Sequence, residues 1–388
     1  MPTRFIHTAD WQLGKPYERI DNEDDKRSLA SQARFDVLKT IGERIKAHQA
    51  EFVLVAGDLF DSITPSNANV SKAFERMGNW NVPVFIIPGN HDFGGPGSLW
   101  ENDYLVAEQR KLAPMVKVLL EKKPFVHGEV VIYPCPLLRR SDTADLTAWL
   151  RDPSVHPAGH ESKARIVLAH GTVQGFGSSA DEEEDAPGEA NLIDVKRLPA
   201  ADYDYVALGD WHGTTEVTPK AWYSGTPETD RFPKGADNDP GNILEVVAGR
   251  GLQPQVTKTR TSHLNWLSVD HRFTADEQVA ELEAKLLGET LAKADTTLIK
   301  LRFTGSLGIK ASGELQKLYD IIRARSIRLK LKDEVGIAPT QEEIDQLCKD
   351  QQNQLIALVA TKLVETTKTN PAAAAQASLA LRELFSAV

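Results

Sequence analysis

Cysteine is scarce in this 388-residue chain, and the two present, Cys135 and Cys348, lie far apart. That spacing excludes a disulfide framework and a cysteine-knuckle metal site, and it suits a cytoplasmic protein with reduced thiols. Long apolar runs are missing too. None approaches the roughly 20 residues that span a bilayer, so no membrane association is expected. The opening Met1-Pro2-Thr3-Arg4 passes directly into a strand-like stretch, without the apolar centre of a signal peptide. No internal repeat is present. Positive charge is in deficit overall: the formal net charge of −10 argues against a protein that coats nucleic acid indiscriminately. The deficit reverses in one place. Between Lys300 and Lys332 nine basic residues face only Glu314 and Asp320, while acid gathers at 21–25 and 181–185.

What is present in the first half is an alternation of short β-rich runs with helical periodicity. Residues 4–8, 51–56 and 82–87 read as strands. Residues 26–48 read as a helix with Leu29, Ala33, Val37, Ile41 and Ile45 on one face, and 65–80 as another, with Pro65 suited to its first turn. This rhythm predicts parallel strands in a covered α/β sheet. Further strands are expected at 130–133, 165–169 and 203–208. The Gly/Ser/acidic stretch 175–189 reads as an exposed loop. Segments near 222–223, 242–247 and 253–257 are expected as antiparallel strands closing the lobe. The composition shifts near His263, which bounds a first domain at 1–262. A smaller α+β unit over 263–336 holds the basic cluster, and 337–388 reads as wholly helical.

Five short segments end strands of the first lobe with metal-ligating side chains. They are "DWQ" (Asp10, Gln12), "GDLFD" (Asp58, Asp61), "GNHD" (Asn90, His91, Asp92), "AHG" (His170) and "GDWH" (Asp210, His212). Ligands at the carboxyl ends of parallel strands converge on one rim. Carboxylate, amide oxygen and imidazole together suit divalent ions of intermediate hardness. Singly, a Gly-Asp pair is a turn and a lone histidine is a core residue; "GNHD" directly after an apolar strand has no packing purpose.

In order and spacing these segments resemble the calcineurin-like metallophosphoesterase superfamily. Within it, "FIHTADWQLGKPY", "VLVAGDLFDS", "IIPGNHD", "YVALGDWH" and "YSGTPE" (Tyr223 to Glu228) are similar to SbcD-type DNA repair exonucleases. The resemblance covers roughly residues 1–260 and extends loosely to the α+β unit, in the place of that family's capping domain. It implies a four-layer αββα sandwich binding two divalent ions. Asp10, Gln12, Asp58 and His212 would hold one ion, and Asp58, Asn90, His170 and Asp210 the other. His91, oriented by Asp92, would stabilise the phosphoryl oxygens or protonate the leaving oxygen, with Asp61 either supporting the ligands from behind or toward the substrate. Gln12 and Asp210 both stand where the family usually has histidine, which shifts the pair toward oxygen ligation and toward Mn2+, with Mg2+ or Fe2+ as alternatives. Two readings of Gln12 stay open, a direct ligand or a hydrogen-bond partner of metal-bound water. Asp210 is either a ligand or a cap on the following turn. His7 is core or supports the site.

The resemblance further implies a DNA exonuclease, with endonuclease activity as an extension, acting in DNA end processing with an SbcC-type coiled-coil ATPase. Arg323, Arg325, Arg328 and Lys330 would contact DNA phosphates, against the alternative of a solvated helix-to-strand face. Phe74, Met77 and Trp80 would form a homodimer interface or else pack in the core. The terminal helices would dock the ATPase or pack on the capping unit. The competing functions are a small-nucleotide phosphodiesterase and a non-catalytic scaffold that binds DNA ends.

Overall fold

The structure, a computed structural model, describes residues 1–20, 25–174, 190–232, 238–290 and 295–387. The acidic residues 21–24, the acidic cluster 181–185 and the expected loop 175–189 lie outside them. Two compact units divide the chain, Met1–Asn265 and Trp266–Val388.

The first unit begins with β1 (Thr3–Thr8), α1 (Lys26–His48), β2 (Phe52–Ala56), α2 (Asn67–Gly78) and β3 (Val84–Ile87). There follow α3 (Asp103–Leu112), β4 (Val116–Val118), β5 (Phe125–His127), β6 (Val130–Cys135), β7 (Ala164–His170) and the short pair β8 (Thr172–Val173) and β9 (Leu192–Ile193). The unit is completed by β10 (Tyr205–Gly209), β11 (Thr215–Thr218), β12 (Ala221–Tyr223), β13 (Asn242–Ala248) and β14 (Gln255–Arg260). These strands form two six-stranded sheets, ordered β14-β13-β1-β2-β3-β4 and β11-β12-β10-β7-β6-β5. Strands β1 to β4 run parallel, as do β6, β7, β10 and β12. β13 and β14 close the first sheet antiparallel, as expected. The 222–223 segment does not: β12 runs parallel to β10, and its antiparallel partner is β11.

The inner strands β2, β3, β6, β7 and β10 are buried on both faces, which explains why they read as continuous apolar runs. Phe5, Phe52, Leu54, Phe85 and Val246 of the first sheet pack against Val130, Ile132, Ile166, Leu168 and Tyr205 of the second. On the outer face of the first sheet, Ile6, Val53, Val55 and Ile86 meet Phe35, Leu38 and Ile41 of α1 and Phe74 and Met77 of α2. The second sheet's outer face is covered through Leu146, Leu150, Ile193 and Leu198, carried by loops and 3-10 turns such as Ala148–Arg151. This is the expected sandwich of α and β layers, its fourth layer built from 3-10 turns among the described residues.

Two local expectations are corrected. Leu29 is 44% exposed, whereas Ala30 and Leu38 are buried; a strict four-residue spacing drifts around a 3.6-residue helix, so its first member leaves the buried stripe. The second helix starts after Ser66, whose Oγ accepts the Asn69 amide at 3.3 Å, so Pro65 precedes the cap and is not in the first turn. Phe74, Met77 and Trp80 are all buried within the unit's own core, so they offer no surface to a second copy.

The second unit contains β15 (Asn265–Phe273), α4 (Gln278–Lys285), β16 (Thr297–Leu307), α5 (Ile309–Arg325) and β17 (Arg328–Ile337), then α6 (Gln341–Leu347), α7 (Gln354–Thr369) and α8 (Ala374–Ser386). The sheet order is β15-β16-β17, with β16 and β17 parallel across the α5 crossover. Ile299, Leu301 and Phe303 pack against Leu315, Leu318 and Ile322. Because side chains alternate along a strand, the intervening Lys300 and Arg302 of β16, with Arg328, Lys330 and Lys332 of β17, share the other face. The register pairs Lys300 with Lys330 and Arg302 with Lys332. Arg323 and Arg325 stand apart from this row, exposed at the end of α5. The terminal segment is helical in three pieces, with a non-helical break before Asn353, and Leu347, Ala360 and Leu381 form its own small core.

Candidate metal centre

All five motif segments lie at the carboxyl ends of strands, β1, β2 and β3 in one sheet and β7 and β10 in the other. Face-to-face packing brings these rims together. The loops after β1 and β2 are joined backbone to backbone: Asp10 N donates to Gly57 O at 3.1 Å, Gln12 N to Asp58 O at 2.9 Å and Leu13 N to Leu59 O at 2.9 Å. The cost is local strain. Asp10, Gln12, Asp58 and Asp210 all have positive φ (54°, 42°, 55° and 104°), a region that L-residues avoid and that tends to mark functional sites. Space is tight as well. A Cβ on Gly57, itself at φ +92°, would lie 2.2 Å from His170 Nδ1, and one on Gly89 would lie 2.1 Å from Asp58 Oδ1.

Asp10, Asp58 and His170 are buried, with potential ligand atoms all within 4.8 Å of one another. His170 Nε2 also lies 2.8 Å from Asn90 Oδ1 and 3.8 Å from Asp210 Oδ1. Asp210 additionally donates its backbone N–H to Asp10 Oδ1 at 3.0 Å, and its Oδ2 accepts the Thr172 hydroxyl at 2.8 Å. His212 sits 3.4 Å from Gln12 through their ε-nitrogens. The structure therefore brings together Asp10, Gln12, Asp58, Asn90, His91, His170, Asp210 and His212.

Three imidazoles share one arrangement. His170 Nδ1 faces Ala56 O at 2.8 Å, His91 Nδ1 faces Asp61 O at 3.0 Å, and His212 Nδ1 faces Asp230 Oδ2 at 2.7 Å. With each Nδ1 engaged by an oxygen, and that of His212 also 2.5 Å from Arg231 Nη2, each Nε2 is left directed into the site. Outer hydrogen bonds of this kind are what orient metal-ligating histidines.

The charge balance favours a cation. Burial pushes the Asp10 carboxyl well above the usual range, against the attraction of His170, and Asp58 and Asp210 push it further. Burial alone would depress His170, but Asp58, Asp10 and Asp210 outweigh it and raise the imidazole to about 9. A proton on His170 thus does part of the work a metal ion would do among these carboxylates. Carboxylates, an amide oxygen and imidazoles fit a divalent ion.

A pH dependence follows for the metal-free protein. His170 is raised above its ordinary 6.5, so its stabilising contribution is complete below about 6.5 and is lost as pH rises through about 9. Asp10, also raised, acts in the same direction. In chelator, stability is expected to fall on the order of 3 kcal/mol between those pH values. Added manganese should flatten the profile, since metal binding displaces the proton. Thermal melts from pH 6 to 10 read this directly, and a flat profile in chelator would remove His170 from the carboxylate cluster.

Asp92 is corrected. It does not orient His91; its buried carboxylate accepts the backbone N–H groups of Gly89, Leu59 and Phe60 at 2.7, 2.8 and 3.2 Å. It clamps the loop after β3 to the loop after β2, and burial together with Asp58 raises its carboxyl to about 7. Asp61 holds His91 instead, through its backbone oxygen. His7 is core: its ring nitrogens meet Tyr205 Oη at 2.9 Å and Leu208 O at 3.1 Å.

Sequence reasoning missed a buried charge network behind His212. Asp230 is met by Arg231 Nε at 2.9 Å, Arg34 Nη2 at 3.3 Å and Lys15 Nζ at 3.7 Å. Burial is outweighed by Arg231 and His212, which hold the Asp230 carboxyl well below its ordinary value. Arg34 also donates to Tyr17 Oη at 2.8 Å and Trp11 O at 2.7 Å. The only local signals were Asp230 two residues beyond "YSGTPE" and Lys15 at the end of "HTADWQLGK".

A double β-sandwich whose strand exits gather carboxylates and inward-facing imidazoles defines a metal-dependent hydrolase of phosphoesters. Residues 3–214, more than half of the chain, match the calcineurin-like phosphoesterase family, and the chain belongs to that family. The family works with paired divalent ions. Among solved structures, the chain is similar to TT1561 of Thermus thermophilus, at 11% identity over 67% of this chain and 100% of that one, TM-score 0.39. It is also similar to a dimetal phosphatase from Danio rerio, at 13% identity over 67% of this chain and 100% of that one, TM-score 0.36. A third is GAP50, the anchor in the inner membrane complex of Plasmodium, at 13% identity over 67% and 89%, TM-score 0.35. Among the described residues no helix is long and apolar enough to cross a membrane.

Proposed function

We propose that this phosphoesterase is a DNA nuclease of the SbcD type, hydrolysing phosphodiester bonds at DNA ends in partnership with an SbcC-type coiled-coil ATPase. The observation that carries the choice of DNA is the second unit's sheet face. Lys300, Arg302, Arg328, Lys330 and Lys332 line it in register, with Glu334 3.0 Å from Lys332 at one end, and a face this rich in cations suits an extended polyanion. Lysine and arginine against phosphates supply the sequence-independent part of DNA affinity. Arg323, half its side chain open to solvent and 3.0 Å from Asp320, and Arg325 would extend the contact beyond the sheet. On α7, Leu355, Leu358 and Val359 are exposed at helical spacing, which supports an apolar partner helix. A homodimer would have to use a surface other than Phe74, Met77 and Trp80.

Asp10, Asp58, Asn90, His170 and Asp210 would hold the metal, and oxygen-rich ligation favours manganese. When bound, divalent ions supply Lewis acidity and an activated water. The protein's own share of the chemistry falls to His91. Its side chain is 32% exposed, against none for His170 and 9% for His212, so it alone of the three reaches outward to substrate. With Nδ1 fixed by Asp61 O, His91 can hold or deliver a proton at Nε2 to the leaving oxygen.

The test is degradation of linear duplex and single-stranded DNA with manganese by wild type, by His91→Asn, and by a variant with Lys300, Arg302 and Lys330 changed to glutamate. Wild type should cleave, and His91→Asn should lose ~10²-fold or more in rate. The glutamate variant should bind DNA with a salt slope shallower by roughly 1 per lost phosphate contact. Cleavage of bis-p-nitrophenyl phosphate but never of DNA would favour a small-nucleotide phosphodiesterase. Binding of DNA ends without cleavage under any metal would favour the scaffold.

A further inference from the structure

Gln12 has an amide whose two ends are assigned by its neighbours. Lys15 Nζ lies 3.0 Å from Gln12 Oε1, and an ammonium can only donate, so the oxygen must face Lys15. The amide Nε2 then faces His212 Nε2 at 3.4 Å and His91 Nε2 at 3.5 Å. The Asp61 carbonyl oxygen accepts the Nδ1–H of His91, so His91 presents a lone pair at Nε2. His212 Nδ1 lies between the Asp230 carboxylate at 2.7 Å and Arg231 Nη2 at 2.5 Å, and donation to the carboxylate sets its lone pair at Nε2 too. Amide donor meets imidazole acceptor on one side, and ammonium donor meets amide acceptor on the other. Turning the amide over would set its NH2 against the ammonium and its oxygen against two lone pairs. Lys15 is itself anchored, 3.7 Å from the buried Asp230 carboxylate and with its side chain 20% exposed.

An amide nitrogen has no lone pair to give a metal ion. The side of the centre facing His212 is therefore left with His212 and the neighbouring Asp58, and it has a fixed ammonium beside it. The side facing His170 keeps Asp10, Asp58, Asn90 and Asp210 together with His170 itself. We infer that the centre is unequal by construction: one divalent ion is held tightly on the His170 side, and the Lys15–Gln12 pair suppresses binding of a second on the His212 side. Lys15 acts here as a positioning residue, through Gln12. The inference rests on the reading that these side chains bind metal at all.

The full-length protein is stripped with chelator, loaded with manganese and desalted; retained manganese is counted by mass spectrometry and its electron paramagnetic resonance spectrum recorded. Wild type should retain about one ion per chain with the six-line spectrum of an isolated ion, the second site filling only at higher free metal. Lys15→Met frees the Gln12 oxygen, and Gln12→His supplies a lone pair. Each should tighten the second site ~10- to 100-fold, the range in which outer hydrogen-bond partners tune metal affinity, and give an exchange-coupled spectrum. Two ions held equally tightly by wild type would overturn the inference while leaving the metal-dependent reading intact. So would two folded variants with unchanged second-site affinity. No retained manganese at all would overturn both.

Discussion

Asp58→Asn is expected to lower phosphodiester hydrolysis by roughly 10³-fold, the equivalent of about 4 kcal/mol. The substitution keeps the oxygen that accepts the His91 backbone N–H, now at 3.0 Å, so the loop geometry should survive. What it removes is charge. Burial disfavours the Asp58 carboxylate, yet His170 and His91 hold it below its ordinary value, so in the folded protein it is ionised. It lies 3.7 Å from His170 Nε2 and 3.9 Å from His91 Nε2, between the inner histidine and the outward one. The assay is manganese-dependent cleavage of bis-p-nitrophenyl phosphate and linear DNA, with retained metal counted in parallel. Activity within tenfold of wild type and unchanged metal content would remove Asp58 from the centre.

The largest effect on stability is expected at a residue that touches no substrate. Arg34→Met should destabilise the first unit by about 3 kcal/mol. Removing one partner of a buried ion pair typically costs ~3–5 kcal/mol, because the other charge stays buried. Arg231 at 2.9 Å still faces Asp230, which places the loss at the lower end of that range. The guanidinium also satisfies Tyr17 Oη and the Trp11 carbonyl, both buried, and methionine satisfies neither. Urea unfolding followed by tryptophan fluorescence measures the change. If Asp230 is the reason, adding Asp230→Asn to Arg34→Met should recover part of the loss through a coupling of ~0.5–3 kcal/mol. A single-variant loss below about 1 kcal/mol, with no coupling, would mean that Arg34 is held by packing and not by charge.

These two residues mark the boundary of what could be read from the chain alone. Asp58 was legible because a ligand directly after an apolar strand is a local pattern, and five such patterns in order reinforce one another. The strands and α1 were legible for the same reason, their apolar periodicity being a property of neighbouring residues. Arg34 was not: inside a helix of alternating polar and apolar residues it reads as solvent-facing, and only the partner at Asp230, almost two hundred positions away, makes its burial tolerable. Asp92 was misread because its place beside His91 in sequence suggested a pair. In space its carboxylate turns the other way, toward three backbone amides whose availability no side-chain pattern reveals. The basic residues were visible as a cluster, but the row formed with Lys300 and Arg302 depends on the β16–β17 register, which composition does not encode.

The backbone stitching between the loops after β1 and β2, with Asp92 tying in the loop after β3, bears on how such a centre can vary between relatives. Inserting or deleting a residue in any one of these loops would drag the other two, since each is the hydrogen-bonding partner of the next. Loop length is therefore closed to variation here, and exchange of single side chains is left open. Gln12 and Asp210, which the family resemblance sets where histidines are usual, would be changes of that permitted kind. In a centre built this way, new metal chemistry arrives one side chain at a time on an unmoved frame.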